Sequence, residues 1–269
     1  MRIIGIVLAT MISICSIAAD VTIQSKNYKN DVEVGLTNFY FKGDQLMIEN
    51  QYKTDNNTLI FNAANKQFTF IDHKRKEYYQ ATETELKRFI GQLRQLVQVT
   101  KAFMKSMPPE QQEAITKSLD KYLNADSQPV TNFAKSKSGV KVGKWSTDQY
   151  NATQGDAKVA EMYIASHSAA GVSKDDFKTF EVMSQVFSQT IAEFVAVLPL
   201  GASVQSMASN LDQNPAFSEG IAVKSISYID GNVDGENRVD SITTGDVSAS
   251  KFAVPSGYAK KELEMPKMK

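Results

Sequence analysis

A regular alternation of apolar and polar side chains runs through residues 21–81, and it restricts the fold of this chain more than any other feature. Successive side chains of a strand point to opposite faces of a sheet, so a period of two gives strands with one apolar face. The alternating segments are separated by "KGD", "KTDNN" and "AANK", whose residues favour tight reversals. The sequence therefore predicts a meander of about five antiparallel strands, with large apolar side chains at Phe39, Phe41, Leu46, Ile48, Leu59, Phe61, Phe68 and Phe70.

Helical periodicity follows the meander and predicts the elements that cover its apolar face. Thr82 and Glu85 have the spacing of a capping box, in which each side chain satisfies a backbone N–H at a helix start. Apolar residues then recur every three or four positions until Pro108 and Pro109 end the helix. Pro109 opens a second, shorter helix, whose apolar side chains are Ile115, Leu119, Tyr122 and Leu123.

A second set of strands and a third helix complete the pattern. Strands are predicted at residues 130–134, 140–150 and 158–165, and a helix starts near Ser173 with Asp176 at the capping-box position. After a short helix near residues 204–211, a hairpin is predicted from residues 221–229 and 238–244, followed by an extended piece at residues 252–258. This order lacks the β–α alternation of a parallel sheet, so the predicted class is α+β with an antiparallel sheet in one domain.

The N-terminal residues have the pattern of a secretory signal. A short positive start precedes an apolar run over residues 3–17. Ser16 and Ala18 are the small residues expected before a cleavage point after Ala18, and cleavage after Ala19 fits as well. We therefore expect a periplasmic or secreted protein without a membrane span in the mature chain.

The single cysteine lies inside this apolar run, which bears on lipidation and on redox chemistry. Cys15 follows Ile14, which is too bulky for the residue that precedes a lipidated cysteine. A lipoprotein and an uncleaved anchor are the alternatives to a cleaved signal. In a cleaved chain no thiol, disulfide or thiolate metal site is expected.

Charge and motif content exclude several functional classes. Lys plus Arg and Asp plus Glu number 30 each and are interspersed, so no basic surface is offered to a nucleic acid. His73 and His167 are the two histidines, and neither has a second histidine or a carboxylate at ligand spacing. We interpret both as surface residues. The expectation is a protein that is not an enzyme and has neither catalytic residues, nor a cofactor, nor a metal.

The segment "DGNVDGENRVD", residues 230–240, has two interpretations. Asp230, Asn232, Asp234 and Gly235 match the opening of a calcium-binding loop. Ser241, however, stands at the twelfth position, where such a loop needs a bidentate Glu, and the flanking residues alternate like strands. A hairpin tip accounts for the same residues without a metal. The hairpin is favoured, and calcium binding stays open.

Several stretches, taken in order, resemble a family of exported bacterial proteins of unknown function. They are "NFYFKGDQLMIEN", "FTFIDHKRKEYYQAT", an amphipathic helix, "VGKWSTDQY" leading into "KVAEMYIAS", then "EGIAVKSISY" and "FAVPSGYAKKEL". That family is similar in pattern to the LolA/LolB/LppX lipoprotein-carrier superfamily. The resemblance implies a curved antiparallel sheet, an incomplete β-barrel, with amphipathic helices packed on its concave face around an apolar cavity. On this interpretation, a signal peptide over residues 1–19 precedes a single LolA-like α+β domain over residues 20–269.

Two functions follow as expectations. The leading one is an exported, non-catalytic protein that binds or carries a lipophilic ligand, such as an acyl chain or a lipoprotein anchor, between helices and sheet. The alternative is a cell-envelope module for protein interaction or structure, with a closed core and no ligand. Phe- and Met-rich helix faces favour the first but also suit an ordinary core. The predicted ligand-binding residues are Leu86, Phe89, Ile90, Leu93, Phe180, Met183, Phe187, Ile191 and Phe194.

Overall fold

The strands form one large sheet. A computed structural model of the protein describes residues 19–53, 55–104, 108, 131–195 and 214–262. Within these ranges the order across the sheet is β12-β6-β5-β4-β3-β2-β1-β11-β10-β9-β8-β7, and every neighbouring pair is antiparallel except the parallel pair β12 and β6. The strands are β1 (Val21–Lys29), β2 (Val32–Lys42), β3 (Gln45–Tyr52), β4 (Asn56–Asn62), β5 (Gln67–Asp72), β6 (Glu77–Thr82), β7 (Thr131–Val142), β8 (Trp145–Gln154), β9 (Ala157–Ser166), β10 (Gly220–Ile229), β11 (Asn232–Thr244) and β12 (Ala259–Lys261). The predicted antiparallel sheet is thus confirmed.

Among the described residues, helices are few beside this sheet. Two 3₁₀ turns, Lys174–Phe177 and Ala249–Phe252, accompany α1 (Glu83–Met104), α2 (His167–Ala170), α3 (Lys178–Val195) and α4 (Pro215–Ser218). In the ranges given above, no helix has both the length and the apolar character needed to cross a membrane. Four predicted features lie outside the described residues: the signal sequence expected up to residue 18, the short helix after Pro109, the one near residues 204–211 and the charged tail after residue 262.

Both long helices begin where the capping boxes were predicted. The carboxylate of Glu85 accepts hydrogen bonds from the backbone N–H and the hydroxyl of Thr82, and the Glu85 N–H donates to the Thr82 hydroxyl. Those hydrogen bonds, the backbone one first, lower the pKa of Glu85. Ser173 and Asp176 form the second box, which opens a 3₁₀ turn that continues directly into α3.

Cross-strand pairing aligns the residues of β1 to β6 in three rows on one face of the sheet, which we call the apolar face. The first row is buried, with no more than 3% exposure: Val21, Phe41, Leu46, Phe61, Phe68 and Ala81. The second row is also apolar: Ile23, Phe39, Ile48, Leu59, Phe70 and Tyr79. The third, which we call the polar row, consists of Ser25, Thr37, Asn50, Asn57, Asp72 and Glu77.

Residues of α1, α3 and the turn before α3 share one core with the first row. Phe177 and Met183 are buried in the same cluster as Phe41, and Leu86 and Phe180 pack against it from half-buried positions. The rings of Phe177 and Phe41 meet edge-on, with centroids 4.8 Å apart. The apolar face therefore buries its first row against helical side chains, as a sheet with such a face requires.

The C-terminal segment, residues 245–262, lies against the opposite face of the same strands. Val247 and Phe252 form a second buried cluster with Tyr40, Met47, Ile60 and Ile71. His73 joins this side to the C-terminal segment, because its Nε2 lies 2.9 Å from the Thr58 hydroxyl and its Nδ1 lies 2.9 Å from the Tyr258 hydroxyl. His73 is half-buried and hydrogen-bonded, so the interpretation of this histidine as a surface residue is corrected.

The structure differs from the predicted strand pattern in several places, one of which is β7, which runs through residues 135–139 between two predicted strands. Residues 21–82 contain six strands instead of about five. A turn at Gly143 and Lys144 divides the predicted strand over residues 140–150, because Gly143 has a positive φ of 54° that breaks the extended run. The final hairpin is longer than predicted: β11 starts at Asn232, so residues 232–240 are strand and the tip is Asp230 and Gly231.

The first row should carry much of the stability of the sheet. Phe61 is fully buried, whereas Phe70, one row away, is 38% exposed. Phe61→Ala should lower the free energy of unfolding by about 3–5 kcal/mol, since it removes a buried ring and leaves a cavity. The control Phe70→Ala should lose less than half as much. Urea denaturation measures both values, and equal losses would contradict the row assignment.

Candidate functional site

A cleft of about 300 Å³ lies between the apolar face and the helical segments that follow β9 and precede β10. Strands β1, β2, β9, β10 and β11 contribute its sheet side, and α2, α3 and α4 contribute the other. Its apolar lining residues are Ile23, Phe39, Phe41, Met162, Phe177, Phe180, Ala216, Ile221, Ala222 and Val239. Its polar or titratable lining residues are Ser25, His167, Glu181, Asn214, Ser225 and Asn237. The cleft is therefore amphipathic.

Three phenylalanines form the apolar end of the cleft. Phe41 comes from the first row, and Phe177 and Phe180 come from the turn before α3 and from α3 itself. The ring centroids of Phe41 and Phe180 lie 6.3 Å apart, again edge-on. The hydroxyl of Thr179 donates to the carbonyl oxygen of Gly43 at 2.6 Å and so ties the start of α3 to the turn after β2. This wall is held by both packing and a hydrogen bond.

Gly220 allows the close approach of β9 and β10 beside the cleft. A Cβ atom placed on Gly220 would lie 1.9 Å from the carbonyl oxygen of Ala165. Any other residue there would push the two strands apart. Just before it, the side chain of Asn214 accepts a hydrogen bond from the Ala216 N–H and caps α4, whose first residue is Pro215.

Hydroxyl and amide groups form the polar end of the cleft. Asn237 Nδ2 donates to the Ser25 hydroxyl at 3.0 Å and to Asn27 Oδ1 at 2.9 Å. The Ser25 hydroxyl donates in turn to the backbone carbonyl of Thr37 at 3.0 Å. Ser25 is only 1% exposed, so these bonds satisfy polar groups that have little access to water.

The same hydrogen bonds continue along the polar row as a ladder across five strands. Asn27 Nδ2 donates to the Thr37 hydroxyl at 2.9 Å, and that hydroxyl donates to Asn50 Oδ1 at 2.9 Å. Asn50 Nδ2 then donates to Asn57 Oδ1 at 3.1 Å. The ladder thus links β11, β1, β2, β3 and β4, and it marks where the apolar face changes to a hydrogen-bonding surface.

His167 and Glu181 are the titratable residues among the described lining of the cleft. Burial and, after it, the positive charge of Lys174 lower the pKa of His167. The ring of His167 packs on Phe177, with centroids 5.8 Å apart. Glu181 forms an ion pair with Lys174 at 3.6 Å, and both side chains are well exposed. His167 is therefore not the surface histidine that the sequence predicted, but a half-buried residue of the cleft.

The predicted ligand-binding residues occupy different environments. Phe180 lines the cleft. Ile90 and Met183 are buried, with 1% and 8% exposure, and Leu86 and Phe89 are half-buried. The other four belong to α1 or α3, but their side chains lie outside the described part of the structure: Leu93, Phe187, Ile191 and Phe194.

Most of the cleft comes from strands that the sequence interpretation did not assign to a site. Ile23, Phe39 and Val239 form its floor, and Ser25 and Asn237 form its polar end. Because the hairpin turns fix the register of β1 to β4, the alternation in the sequence could have predicted the polar row. The pairing of β1 with β11 joins residues more than 200 positions apart, and no local pattern indicates it.

Among the described residues, no group of three or more His, Cys, Asp or Glu side chains is placed to hold a metal ion. The segment with the partial calcium motif forms the β10–β11 hairpin. Asp234 there forms an ion pair with Lys29 across to β1, at 3.6 Å.

The polar row should depend on Thr37, whose hydroxyl both accepts and donates within the ladder. Thr37→Val keeps the shape but leaves the Asn27 and Asn50 amides without this partner, so the free energy of unfolding should fall by about 1–3 kcal/mol. Thr22→Val, on the opposite face of β1, is the control and should change it by less than half as much. Denaturant titration of both variants measures the difference, and a neutral Thr37→Val would contradict the role of the ladder.

Comparisons with known proteins give likenesses in structure but no match in sequence. No family model matches the sequence, and no curated protein sequence matches it. Among solved structures, the chain is similar to an uncharacterised conserved protein from Thermus thermophilus, with a TM-score of 0.45 and 8% sequence identity, covering 91% of each chain.

Proposed function

We propose that this protein is an exported, non-catalytic binding protein that holds an acyl chain in the amphipathic cleft. The observation that supports the proposal is the cleft itself, which has aromatic and aliphatic side chains at one end and uncharged hydrogen-bonding groups at the other. Small-molecule sites typically combine a mainly apolar lining with a few polar groups that orient the ligand. An acyl chain with a polar head group matches this division.

The size of the cleft sets the length of chain that it can hold. At roughly 30 Å³ per group, the share of one water molecule in the liquid, 300 Å³ accommodates about ten methylene groups. Each buried methylene contributes about 0.8 kcal/mol, so such a chain gains about 8 kcal/mol before the cost of ordering it. This gain is enough for reversible binding of one chain.

The charges around the cleft favour a neutral head group. Ser25, Ser225 and Asn237 are uncharged polar residues, and the described lining contains no Lys or Arg. A free carboxylate would therefore lose its hydration without gaining a cation from the described lining. An ester- or amide-linked acyl chain, as in a glyceride or a lipoprotein anchor, avoids this cost.

The proposal includes a LolA-like architecture and export. The three rows on one face, with helical side chains over the first row, support a curved sheet whose apolar face is its concave side. In a carrier of this type the ligand lies between sheet and helices, which is where the cleft lies. The signal-like N-terminus supports a periplasmic or secreted location for such a carrier.

A closed envelope module without a ligand is the second candidate. The observation that favours it is the burial of Ile90 and Met183, two of the residues predicted to face a ligand. If the helices seal the apolar face completely, the protein would act through its surface. Ligand uptake distinguishes this candidate from a carrier.

Binding of a neutral single-chain amphiphile tests the proposal. Glyceryl monolaurate should bind, and laurate should bind at least tenfold more weakly, as measured by calorimetry with the lipid below its critical micelle concentration. Ala222→Phe places a ring in the cleft from β10 and should abolish binding, while Ala157→Phe at the exposed start of β9 should not. Failure of the unaltered protein to bind would overturn the carrier proposal in favour of the closed module.

Affinity should also depend on pH through His167. Its pKa is lowered from 6.5, and a bound chain would bury the ring further and lower it again. Because the ligand then favours the neutral ring, binding should be strongest above the pKa of the unliganded ring, which lies below 6.5, and should weaken as the pH falls through that pKa. Lys174, Glu181 and Asp176 are the charged groups that act on this ring.

The matched variants for this prediction are His167→Gln and His73→Gln. The first should flatten the dependence of Kd on pH between roughly pH 5 and pH 8, the range in which histidine titrates. The second alters the histidine on the opposite face and should leave the dependence unchanged. An unaltered pH profile in His167→Gln would show that another group controls it.

A further inference from the structure

A backbone nitrogen near the start of the described chain lies against a buried carboxylate. The nitrogen of Ala19 is 2.9 Å from Oδ1 of Asp176, which lies 157 residues later in the sequence. The other carboxylate oxygen of Asp176 accepts a hydrogen bond from the Ser173 N–H at 2.8 Å. Asp176 is 8% exposed whereas Ala19 is exposed, so a buried carboxylate meets the nitrogen of a surface residue and the contact is partly buried.

A carboxylate in such a site needs a positive charge or strong hydrogen bonds to offset its lost hydration. In the described part of the chain, neither a lysine nor an arginine forms an ion pair with Asp176. His167 is close enough for the charge of Asp176 to act on it, but burial lowers the pKa of that histidine and so disfavours its charged form. A cation at the Ala19 nitrogen would supply what these groups do not.

Ala19 occupies a distinctive position in the sequence. It follows Ser16 and Ala18, the small residues expected before a signal cleavage point. Cleavage of the peptide bond between Ala18 and Ala19 converts the amide nitrogen of Ala19 into an α-ammonium group, which is protonated at neutral pH. We infer that the leader is removed after Ala18 and that the new ammonium group of Ala19 forms an ion pair with the buried carboxylate of Asp176.

The next residues hold this nitrogen in position. The carboxylate of Asp20 binds Lys42 at 2.6 Å and accepts a hydrogen bond from the Val247 N–H at 3.0 Å. Val21, the first residue of β1, is fully buried. Cleavage after Ala19 would instead remove the nitrogen that contacts Asp176 and leave the ammonium on Asp20, so the two possible cleavage points give different structures.

The pairing also affects the cleft. Asp176 belongs to the capping box of the turn that leads into α3, and Phe177, the next residue, packs against Phe41 in the cleft wall. A fixed Asp176 therefore fixes the aromatic wall. The inference rests on the export part of the proposed function and not on ligand binding, so a failure of lipid uptake would leave it intact.

The site of cleavage is measured directly. The full chain with its own leader is expressed in a Gram-negative host and purified from the periplasm, and its intact mass and N-terminal sequence are determined. The expected product begins Ala-Asp-Val-Thr. A product that begins at Asp20, or one that retains the leader, would overturn the inference.

The ion pair is tested by a double-mutant cycle. Chains that begin at Ala19 are compared with chains that carry Gly-Ser before Ala19, each with Asp176 or with Asp176→Asn. In the chain that begins at Ala19, Asp176→Asn should lower Tm by about 3 °C or more, and in the extended chain by less than half as much. Asp175→Asn, at the exposed neighbouring position, is the control and should leave Tm unchanged in both.

Equal losses in the two backgrounds would overturn the ion pair and leave Asp176 with its capping role alone. If Asp176→Asn prevents folding, the comparison of the two chains with Asp176 intact decides: the extended chain should then have the lower Tm, and equal Tm values would contradict the inference.

Discussion

The alignment of side chains across β1 to β6 is the constraint on which the rest of the structure depends. Because each tight turn fixes the register of its hairpin, residues from six strands fall into rows, and a shift by one residue would move every row to the other face. Two rows are apolar and the third is polar. The apolar rows require a cover, while the polar row forms hydrogen bonds between side chains from β1 to β4.

The cleft lies where this face meets the second half of the sheet. The separation of apolar from polar rows continues beyond β1 into β11. Val239 belongs to the apolar lining, and Asn237 donates hydrogen bonds to Ser25 and Asn27. The helical segments after β9 close the apolar side. One face of one sheet thus provides both an apolar floor and a hydrogen-bonding end, which is the arrangement that an acyl chain with a neutral head group needs.

Local patterns predicted the parts of the fold that local physics controls. The alternation predicted about five strands in residues 21–82, where the structure has six. The Thr82–Glu85 and Ser173–Asp176 capping boxes predicted where the helices start. The helix faces indicated residues of the core, such as Ile90 and Met183, but could not separate core from cleft, because both demand the same side chains. Among the predicted site residues whose side chains the structure describes, Phe180 lines the cleft.

The remaining site residues depend on contacts that a local pattern does not encode. Ser25 meets Asn237, and His167 meets Phe177, only because β1 pairs with β11 and because α2 folds back beside the turn before α3. The lowered pKa of His167 follows from that burial. The local sequence, in which His167 stands between two serines, suggests an exposed residue instead. Long-range pairing, and not composition, builds the polar end of the cleft.

The most direct measurement is a crystal structure of the protein purified from its native compartment without detergent, with any bound molecule identified by mass spectrometry of the same sample. This account predicts continuous density of an acyl chain between Phe41 and Phe180, with a neutral head group beside Ser25 and Asn237. A cleft filled by the protein's own side chains, in a sample that yields no lipid, would contradict it.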